Sequence, residues 1–293
     1  MVPEPEFTSY YGRPILKRPV WKQPDVPLYL FLGGLAGASA LLAEGAAITG
    51  RRELERVARV AAAAGSSLGT GALMHDLGKP TRFLNMLRVF KVTSPLSVGS
   101  WILAPFSGLA GAAAASELTG RLPSAGRAAG VGAGMLGPAL ATYTAALIAD
   151  TAVPAWHEAH RELPFVFAGS GATAAGGLAM IAAPVDEAGP ARRMAVAGAA
   201  LELVSSRRIE GMGLVSEPYR TGRPGRMLRA GRALTTAGLV LTPFARRSRV
   251  VSAVAGASFV AASALTRFGI FGAGLESARD PKYTVIPQRE RIS

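Results

Sequence analysis

Long apolar runs separated by short polar segments form the main pattern of this sequence. Each run is about 20 residues long, the helix length that crosses the hydrocarbon core of a bilayer. The pattern therefore predicts an all-α integral membrane protein with about eight transmembrane helices, seven being the alternative count because the sixth and seventh runs are short. The predicted spans are residues 27–49, 56–76, 96–117, 128–150, 163–183, 190–206, 229–245 and 249–273.

Polar segments precede and follow these runs. Residues 1–26 are rich in Pro, which favours an extended arm, and we expect this arm to bind along a partner. Residues 276–293 are polar as well and predict an extended tail. Arg51 to Arg59 is expected to form a short charged turn between the first two spans.

The connection at residues 76–95, between the second and third spans, carries a pattern of its own. Phe83, Met86, Leu87 and Phe90 fall at helical spacing. That spacing predicts a short amphipathic helix lying at the membrane surface.

Composition narrows the chemistry that this chain can support. The sequence is 49% hydrophobic and 17% charged, whereas a soluble domain usually has about 25% charged residues. It contains no Cys, which excludes thiolate-ligated iron–sulfur clusters and disulfides within the chain. The three His residues lie near the ends of runs, so we expect neither haem nor metal. The His157–His160 segment lacks the His-Glu-x-x-His spacing of zinc enzymes.

The net charge of +13 comes mainly from Lys and Arg in the polar connections. Anionic headgroups and an acidic protein partner are therefore expected counterparts, rather than nucleic acid. On the predicted topology, 21 of the 32 Lys and Arg residues lie on one side and 11 on the other. Positive charge concentrates on the cytoplasmic side, so both termini are expected in the cytoplasm of a cell with this protein in its plasma membrane.

Four ionisable residues at the start of the 76–95 connection are candidates for proton exchange: His75, Asp76, Lys79 and Arg82. A carboxylate at a helix end can take up or release a proton, and an adjacent imidazole can relay it. Quinone reduction or oxidation needs such groups near the two ring oxygens. The alternatives are that Asp76 only pairs with Lys79 or Arg82, and that the connection is a basic loop anchored to headgroups.

Aromatic residues with polar atoms give three further candidates. Tyr143 is a phenol in an Ala-rich span, and its hydroxyl needs a partner, either a ligand oxygen or the backbone of a neighbouring helix. Trp101 and Trp156 lie near the ends of spans, where tryptophan commonly marks the interface between membrane and water.

Three charged residues lie within predicted spans: Glu44, Glu202 and Arg267. A static ion pair between Glu202 and Arg267 would lower the cost of burying each charge, and we favour that interpretation. The alternative is a hydrated proton path, to which Glu44 could belong.

The segment HDLGKPTRFLNMLRVFKVTSPLSVGSW resembles a signature of the NrfD/PsrC-type integral membrane subunits of the polysulfide reductase (molybdopterin oxidoreductase) family. That signature reads Asp-Leu-Gly-x-Pro-x-Arg-Phe and Ser-Pro-Met-Ser-x-Gly-Ser-Trp, and Leu96 stands where Met is frequent. Three other segments are similar too, so the resemblance covers nearly the whole chain: PLYLFLGGLAGASALLA, Tyr143-Thr144 followed by Pro154-x-Trp156, and AGLESARDPKYTVIPQR.

This resemblance implies two four-helix bundles, at residues 27–152 and 153–275, without a cofactor of their own. It implies a menaquinone or ubiquinone site at the membrane surface, below a ferredoxin-like iron–sulfur subunit that connects to a molybdenum or tungsten pterin catalytic subunit. Asp76 and Tyr143 match positions associated with quinone binding. Some members carry His or Asn near the start of the first span, where this chain has Asp25-Val26-Pro27.

The predicted function is therefore a quinone-reactive membrane subunit of a respiratory oxidoreductase. The alternatives are a secondary transporter and a purely structural anchor without quinone chemistry. Transporters often show inverted repeats with broken helices at the middle of the membrane. Pro138 is the candidate break in this sequence, and it stands alone.

Overall fold

The computed structural model describes residues 15–17, 19–79 and 81–290, and the predicted all-α fold is confirmed. The described segments contain twelve α-helices and two 3-10 turns, at Gly213–Ser216 and Phe244–Arg246. The α-helices, in chain order, are α1 Asp25–Ile48, α2 Arg52–Leu77, α3 Thr81–Met86, α4 Pro95–Thr119, α5 Pro123–Ala149, α6 Pro154–Glu158, α7 Leu163–Ala182, α8 Gly189–Glu210, α9 Glu217–Arg220, α10 Gly222–Leu241, α11 Arg249–Arg279 and α12 Lys282–Glu290.

Five of the described helices are long and apolar enough to cross a membrane by length and composition. These are α1, α4, α5, α7 and α11. Three other helices, α2, α8 and α10, have at least 20 residues but are more polar overall. The five apolar helices agree with the predicted membrane location, and the eight-helix arrangement requires the three polar ones as well.

Local sequence signals set the helix ends around the 76–95 connection. α2 ends at Leu77 and is followed by Gly78, whose φ of 74° lies in the left-handed region that glycine adopts at little cost. α4 begins after Ser94, whose hydroxyl accepts the Ser97 backbone N–H, and Pro95 occupies the first turn. These two ends leave a short connection that holds α3 at the end of the helices.

The long helices form two groups that pack differently. In the N-terminal helix group, α1 packs against α2 and α5, α4 packs against α5 and α2, and the four helices close into a ring. In the C-terminal helix group, α7 packs against α8 and α11, and α10 packs against α11. Contacts between α8 and α10 are sparse, so that seam is open. α7 also contacts α1 and α5, which joins the groups.

Glycine allows the closest approach within the N-terminal helix group. A Cβ atom on Gly37 of α1 would lie 2.3 Å from the carbonyl oxygen of Gly137 in α5. That distance is shorter than any real carbon–oxygen contact, so only glycine fits. Small residues at helix interfaces let backbones approach in this way, as expected for helices packed in lipid.

The predicted charged turn at Arg51 to Arg59 is mostly wrong. The helix α2 begins at Arg52 and includes Glu55 and Arg59. Arg59 is buried and forms an ion pair with Glu55, one helical turn away. Glu55 and Arg59 therefore belong to a packed helix face, whereas Arg52, Glu53 and Arg56 are exposed.

The predicted extended tail is also wrong over its described part. α11 continues to Arg279, and residues 282–290 form α12. Tyr283 is buried, and Lys282 forms an ion pair with Glu217 at 2.9 Å. The tail is helical because these two side chains attach it to α9 and its neighbours.

The predicted N-terminal arm lies largely outside the described residues. Residues 1–14 and 18 are not described, and the described part before α1 contains no helix. Trp21 packs against Trp156, with ring centroids 5.8 Å apart. This part of the arm therefore contacts the chain itself.

The predicted amphipathic helix exists but is shorter than the pattern indicated. α3 spans Thr81–Met86, with Phe83 buried against the helices. Phe90 lies beyond the helix and packs edge-on against Trp101, with centroids 5.9 Å apart. The apolar spacing continues past Met86, but residue 87 is in a turn, residue 88 in a bend, and residues 89–91 are irregular.

Candidate functional site

The predicted proton-exchange residues lie where α1 begins and α2 ends, because these consecutive helices run antiparallel. We call this the site end of the molecule. His75 Nδ1 lies 2.8 Å from Asp25 Oδ2. The Asp25 side chain is 12% exposed, whereas that of His75 is 78% exposed. The pair therefore joins a sheltered carboxylate to an imidazole that faces solvent.

Asp25 is a site residue that the sequence interpretation did not single out. Its only signal was its position in the first turn of α1, where a carboxylate is favoured by the helix dipole. The structure brings His75 of α2 to this position. An imidazole therefore reaches the start of the first span even though the sequence there, Asp25-Val26-Pro27, contains none.

Asp76 contacts the segment that precedes α1. Its Oδ1 accepts a hydrogen bond from the Lys22 backbone N–H at 2.9 Å, and the side chain is half-buried. Arg82 instead donates to the Leu77 carbonyl at 3.1 Å, and Lys79 is exposed. Within the described residues, Asp76 forms no ion pair with Lys79 or Arg82, so the pairing alternative is not what the structure shows.

Tyr143 of α5 packs against the start of α4, the helix that follows the 76–95 connection. A Cβ atom on Gly99 would lie 2.0 Å from Tyr143 Cε2, so the ring occupies the space that a side chain would need. Tyr143 is half-buried, and its hydroxyl forms no hydrogen bond with the described residues. The alternative of a bond to a neighbouring helix backbone is not what the structure shows, and the hydroxyl is available to a ligand.

Serine side chains order the connection next to Gly99. The Lys91 backbone N–H donates to Ser97 Oγ at 3.0 Å, and Ser97 Oγ donates to the Val89 carbonyl at 3.0 Å. Ser100 Oγ donates to the Leu96 carbonyl at 2.8 Å. These bonds fix the backbone that carries Gly99, and so fix the surface on which Tyr143 rests.

The two candidate interface tryptophans have different environments. Trp101 is 42% exposed, as expected of a residue at the membrane interface. Trp156 is fully buried, and its Nε1–H donates to the Ile270 carbonyl at 2.9 Å. The interface prediction is therefore wrong for Trp156, because α6 packs onto α11 and encloses the ring.

A second buried aromatic residue fixes α6 from the other side. The Tyr219 hydroxyl donates to the Ala155 carbonyl at 2.8 Å, and burial raises the pKa of that phenol. Near it, Lys282 donates to Glu217, and this hydrogen bond lowers the pKa of the Glu217 carboxyl and raises the pKa of Lys282. These contacts join α6, α9 and α12 at the site end.

Glu44 belongs to an ion cluster at the opposite end of the N-terminal helix group. Its Oε1 lies 3.8 Å from Arg59 Nη2. Arg59 also forms ion pairs with Glu55 at 2.7 Å and Glu117 at 2.8 Å. The sequence interpretation missed this cluster because four separate helices, α1, α2, α4 and α5, supply its members, including Arg127 at 3.9 Å from Glu55.

The predicted static pair between Glu202 and Arg267 is not formed as a direct contact. Within the described residues, no ion pair within 4.0 Å joins these two side chains. Glu202 Oε1 accepts a hydrogen bond from Thr266 Oγ1 at 2.6 Å. Arg267 Nη2 donates to the Phe167 carbonyl at 2.6 Å, and its guanidinium lies 3.7 Å from the centre of the Phe167 ring. Each charge therefore has separate partners: Glu202 of α8 bonds to Thr266 of α11, whereas Arg267 of α11 contacts Phe167 of α7.

No match to a curated protein was found. The family model described as "Polysulphide reductase, NrfD" matches residues 16–186, which is more than half of the chain. The matched range includes Asp25, His75, Asp76 and Tyr143. The family resemblance seen in the sequence is therefore confirmed. The chain belongs to the NrfD family, whose description indicates a membrane subunit of a polysulphide reductase-like oxidoreductase.

Proposed function

We propose that this chain is the membrane anchor and quinone-reactive subunit of a multi-subunit respiratory oxidoreductase. It would pass electrons between an iron–sulfur subunit and the menaquinone or ubiquinone pool. The observation that carries the proposal is the site end itself. Asp76 is half-buried in the last turn of α2, and the Tyr143 ring rests on Gly99 near the start of α4, with a hydroxyl that forms no hydrogen bond with the described residues.

The side chains at the site end have distinct roles in this proposal. A quinone takes up two electrons and two protons when it is reduced. Asp76 exchanges one proton with water, because its carboxylate is partly exposed. The His75–Asp25 pair relays the other through an imidazole that faces solvent. Tyr143 donates a hydrogen bond to one ring oxygen and so orients the ring.

The membrane arrangement that we propose has eight spans in two four-helix bundles, at residues 27–152 and 153–275. The polar helices α2, α8 and α10 complete the two groups. Ion pairs inside the N-terminal helix group support a membrane location for α2, because Glu55 and Glu117 neutralise its buried Arg59. With an even number of spans, both termini lie at the site end, which we place in the cytoplasm.

The proposed partners bind the site end. A ferredoxin-like iron–sulfur subunit would deliver or receive electrons there, and a molybdenum or tungsten pterin subunit would carry the substrate chemistry. The predicted charge distribution supports this, since 21 of 32 Lys and Arg residues lie on that side and would attract an acidic partner. The transporter alternative gains no support from α5, which continues through Pro138 as one helix.

The test uses the complex purified from native membranes with this subunit in place. Asp76→Asn keeps size and polarity but removes the titratable proton. We expect quinone-linked turnover to fall by about 100-fold or more, since positioned acid–base groups contribute about that much. Electron transfer from the catalytic subunit to a soluble artificial acceptor should continue at the wild-type rate.

Two further variants complete this test. Tyr143→Phe should mainly raise the quinone KM, by about tenfold for one lost hydrogen bond. Asp150→Asn is the matched control, because Asp150 is an exposed carboxylate at the same end of the molecule. Wild-type quinone activity in both Asp76→Asn and Tyr143→Phe would leave this chain as a structural anchor only.

A further inference from the structure

A groove lies between α8 and α10, at the end of the molecule opposite the site end. Its volume is about 800 Å³, within the range of pockets that hold small ligands. It exists because α8 and α10 barely touch, whereas the corresponding seam of the N-terminal helix group is closed. The residues that line it are Asp186, Gly189, Arg192, Arg193, Val196, Ala197, Ala200, Leu239, Thr242, Pro243 and Arg246.

The groove is divided into a basic rim and an apolar floor. Arg192 and Arg193 lie in the first turn of α8, and Arg246 lies in the 3-10 turn after α10. The floor continues along α8 through Val196 to Ala200. Ala200 lies about 12 Å along the helix from Arg192, at 1.5 Å per residue. Charge is therefore concentrated where α8 starts, and the apolar surface runs toward the middle of the helix.

Among the described residues, the three guanidinium groups have no anionic partner in direct contact. In the part of the chain that the structure describes, no carboxylate lies within 4.0 Å of Arg192, Arg193 or Arg246. Arg192 Nη1 donates to the Val185 carbonyl at 3.0 Å, which holds this side chain at the rim. Asp186 also lines the groove but lies beyond 4.0 Å from the three guanidinium groups, so the rim keeps a net positive charge. Such clustering favours binding of an external anion.

We infer that this groove binds an anionic diacyl phospholipid, with its phosphate among the three arginines and an acyl chain along Val196 and Ala200. Charge complementarity selects the headgroup, since arginine forms charge-assisted bonds with phosphate oxygens. The apolar floor selects a lipid over a free anion, because a chain buries Val196 and Ala197, which are otherwise exposed. This inference does not depend on the proposed quinone chemistry.

The test measures lipid retention by native mass spectrometry, using the full-length protein reconstituted with phosphatidylglycerol and phosphatidylcholine in equal amounts. We expect the wild-type protein to retain phosphatidylglycerol preferentially. In the R192Q/R193Q/R246Q variant the preference for phosphatidylglycerol should fall by about tenfold or more, since each arginine near a membrane surface attracts anionic lipid. The matched control is R52Q/R56Q/R247Q, which removes three exposed arginines from the same end of the molecule and should retain the preference.

A second variant changes the floor without changing charge. Ala200→Trp places an indole in the groove, and we expect it to reduce lipid retention while inorganic phosphate binding stays unchanged. A gel-filtration profile like that of the wild-type protein shows that each variant is folded. Loss of the preference in the rim triple variant and of retention in Ala200→Trp supports the proposal.

Four results would overturn it. These are equal retention of both lipids by the wild-type protein, retention by the rim variant equal to that of the control, and binding of glycerol phosphate as tight as that of the diacyl lipid. The fourth is that a co-purified protein subunit protects the groove from cross-linking in the intact complex. That result would make this face a protein interface.

Discussion

The two helix groups bury an arginine in different ways. In the N-terminal helix group, Arg59 is 6% exposed and lies within 4.0 Å of three carboxylates. In the C-terminal helix group, Arg267 is fully buried and contacts a carbonyl and the face of the Phe167 ring. Nε of each arginine and Nη1 of Arg267 have no hydrogen-bond partner among the described residues, so the difference lies in the nearby carboxylates. One arginine is neutralised by opposite charge, and the other is only solvated by dipoles.

Depth along the helices explains the difference. Arg59 lies seven residues after the start of α2, about 10 Å from the helix end, where Glu117 at the end of α4 can reach it. Arg267 lies twelve residues before the end of α11, about 18 Å deep. Gly34 of α1 faces the Arg267 guanidinium at this depth. A Cβ atom on Gly34 would lie 2.7 Å from Arg267 Nη2, so the guanidinium occupies the space that a side chain would need. A charged partner at that depth would itself need to be desolvated, which costs several kcal/mol.

The largest effect that we predict tests this comparison directly. Arg59→Met should lower the free energy of unfolding by about 3–5 kcal/mol, because it leaves carboxylates buried without their cation. Arg267→Met should lower it by less than about 2 kcal/mol, because it removes a cation that has no carboxylate partner. Unfolding of the reconstituted protein in mixed micelles with increasing SDS measures both. Equal losses would show that the difference in partners has no energetic meaning.

A rescue experiment sharpens the account of Arg59. Adding Glu117→Gln to Arg59→Met should restore about 0.5–3 kcal/mol, the range of coupling energies for residues in one charged network. Glu53→Gln is the control, since Glu53 is exposed in the first turn of the same helix. The account of Arg59 fails if Glu53→Gln restores as much stability as Glu117→Gln.

Smaller effects are predicted for Glu202. Glu202→Gln should change the free energy of unfolding by less than about 1 kcal/mol, because an amide oxygen can still accept the Thr266 hydrogen bond. The double variant with Arg267→Met should show no rescue, since the two side chains form no direct pair. A double variant more stable than either single variant would restore the ion-pair interpretation.

The smallest effect concerns a solvent-exposed pair, which serves as a reference for the buried ones. Lys282 lowers the pKa of Glu217, so the contribution of this pair is complete above the ordinary carboxyl pKa of about 4.3. It is lost as pH falls through the lowered folded-state value. We therefore expect α12 to detach only in strong acid.

A spin label can follow this transition, because the chain has no native Cys. With Gln288→Cys labelled, nitroxide mobility should rise below the ordinary carboxyl pKa. Glu217→Gln should raise mobility at neutral pH and remove the acid transition. A transition that Glu217→Gln leaves unchanged would assign it to another group.

Much of the fold follows from the sequence pattern, since an apolar run of about 20 residues has few stable alternatives to a helix in lipid. All eight predicted runs overlap long helices, including the polar α2, α8 and α10. The errors cluster where a residue's partner is distant in sequence. Trp156 was expected at an interface and is enclosed by α11. The tail was expected to be extended and is helical because Tyr283 and Lys282 attach to other elements.

The candidate site shows the same division. The sequence identified His75, Asp76 and Tyr143 through residue chemistry and family resemblance, and the family is confirmed. Pairing of His75 with Asp25 spans 50 residues, and no local pattern encodes it. Gly99 looked like one more small residue, although it makes space for Tyr143.

By itself, the sequence determined the helical class, the membrane location and the family, because these depend on local hydrophobicity and on a contiguous motif. Only the tertiary structure decided which charges pair. Arg59 collects its carboxylates from three helices, while Arg267 and Glu202 remain apart although each would suit the other. The physical reason is that electrostatic attraction at these distances depends on helix rotation and packing, which small residues such as Gly34 and Gly37 set across distant parts of the chain.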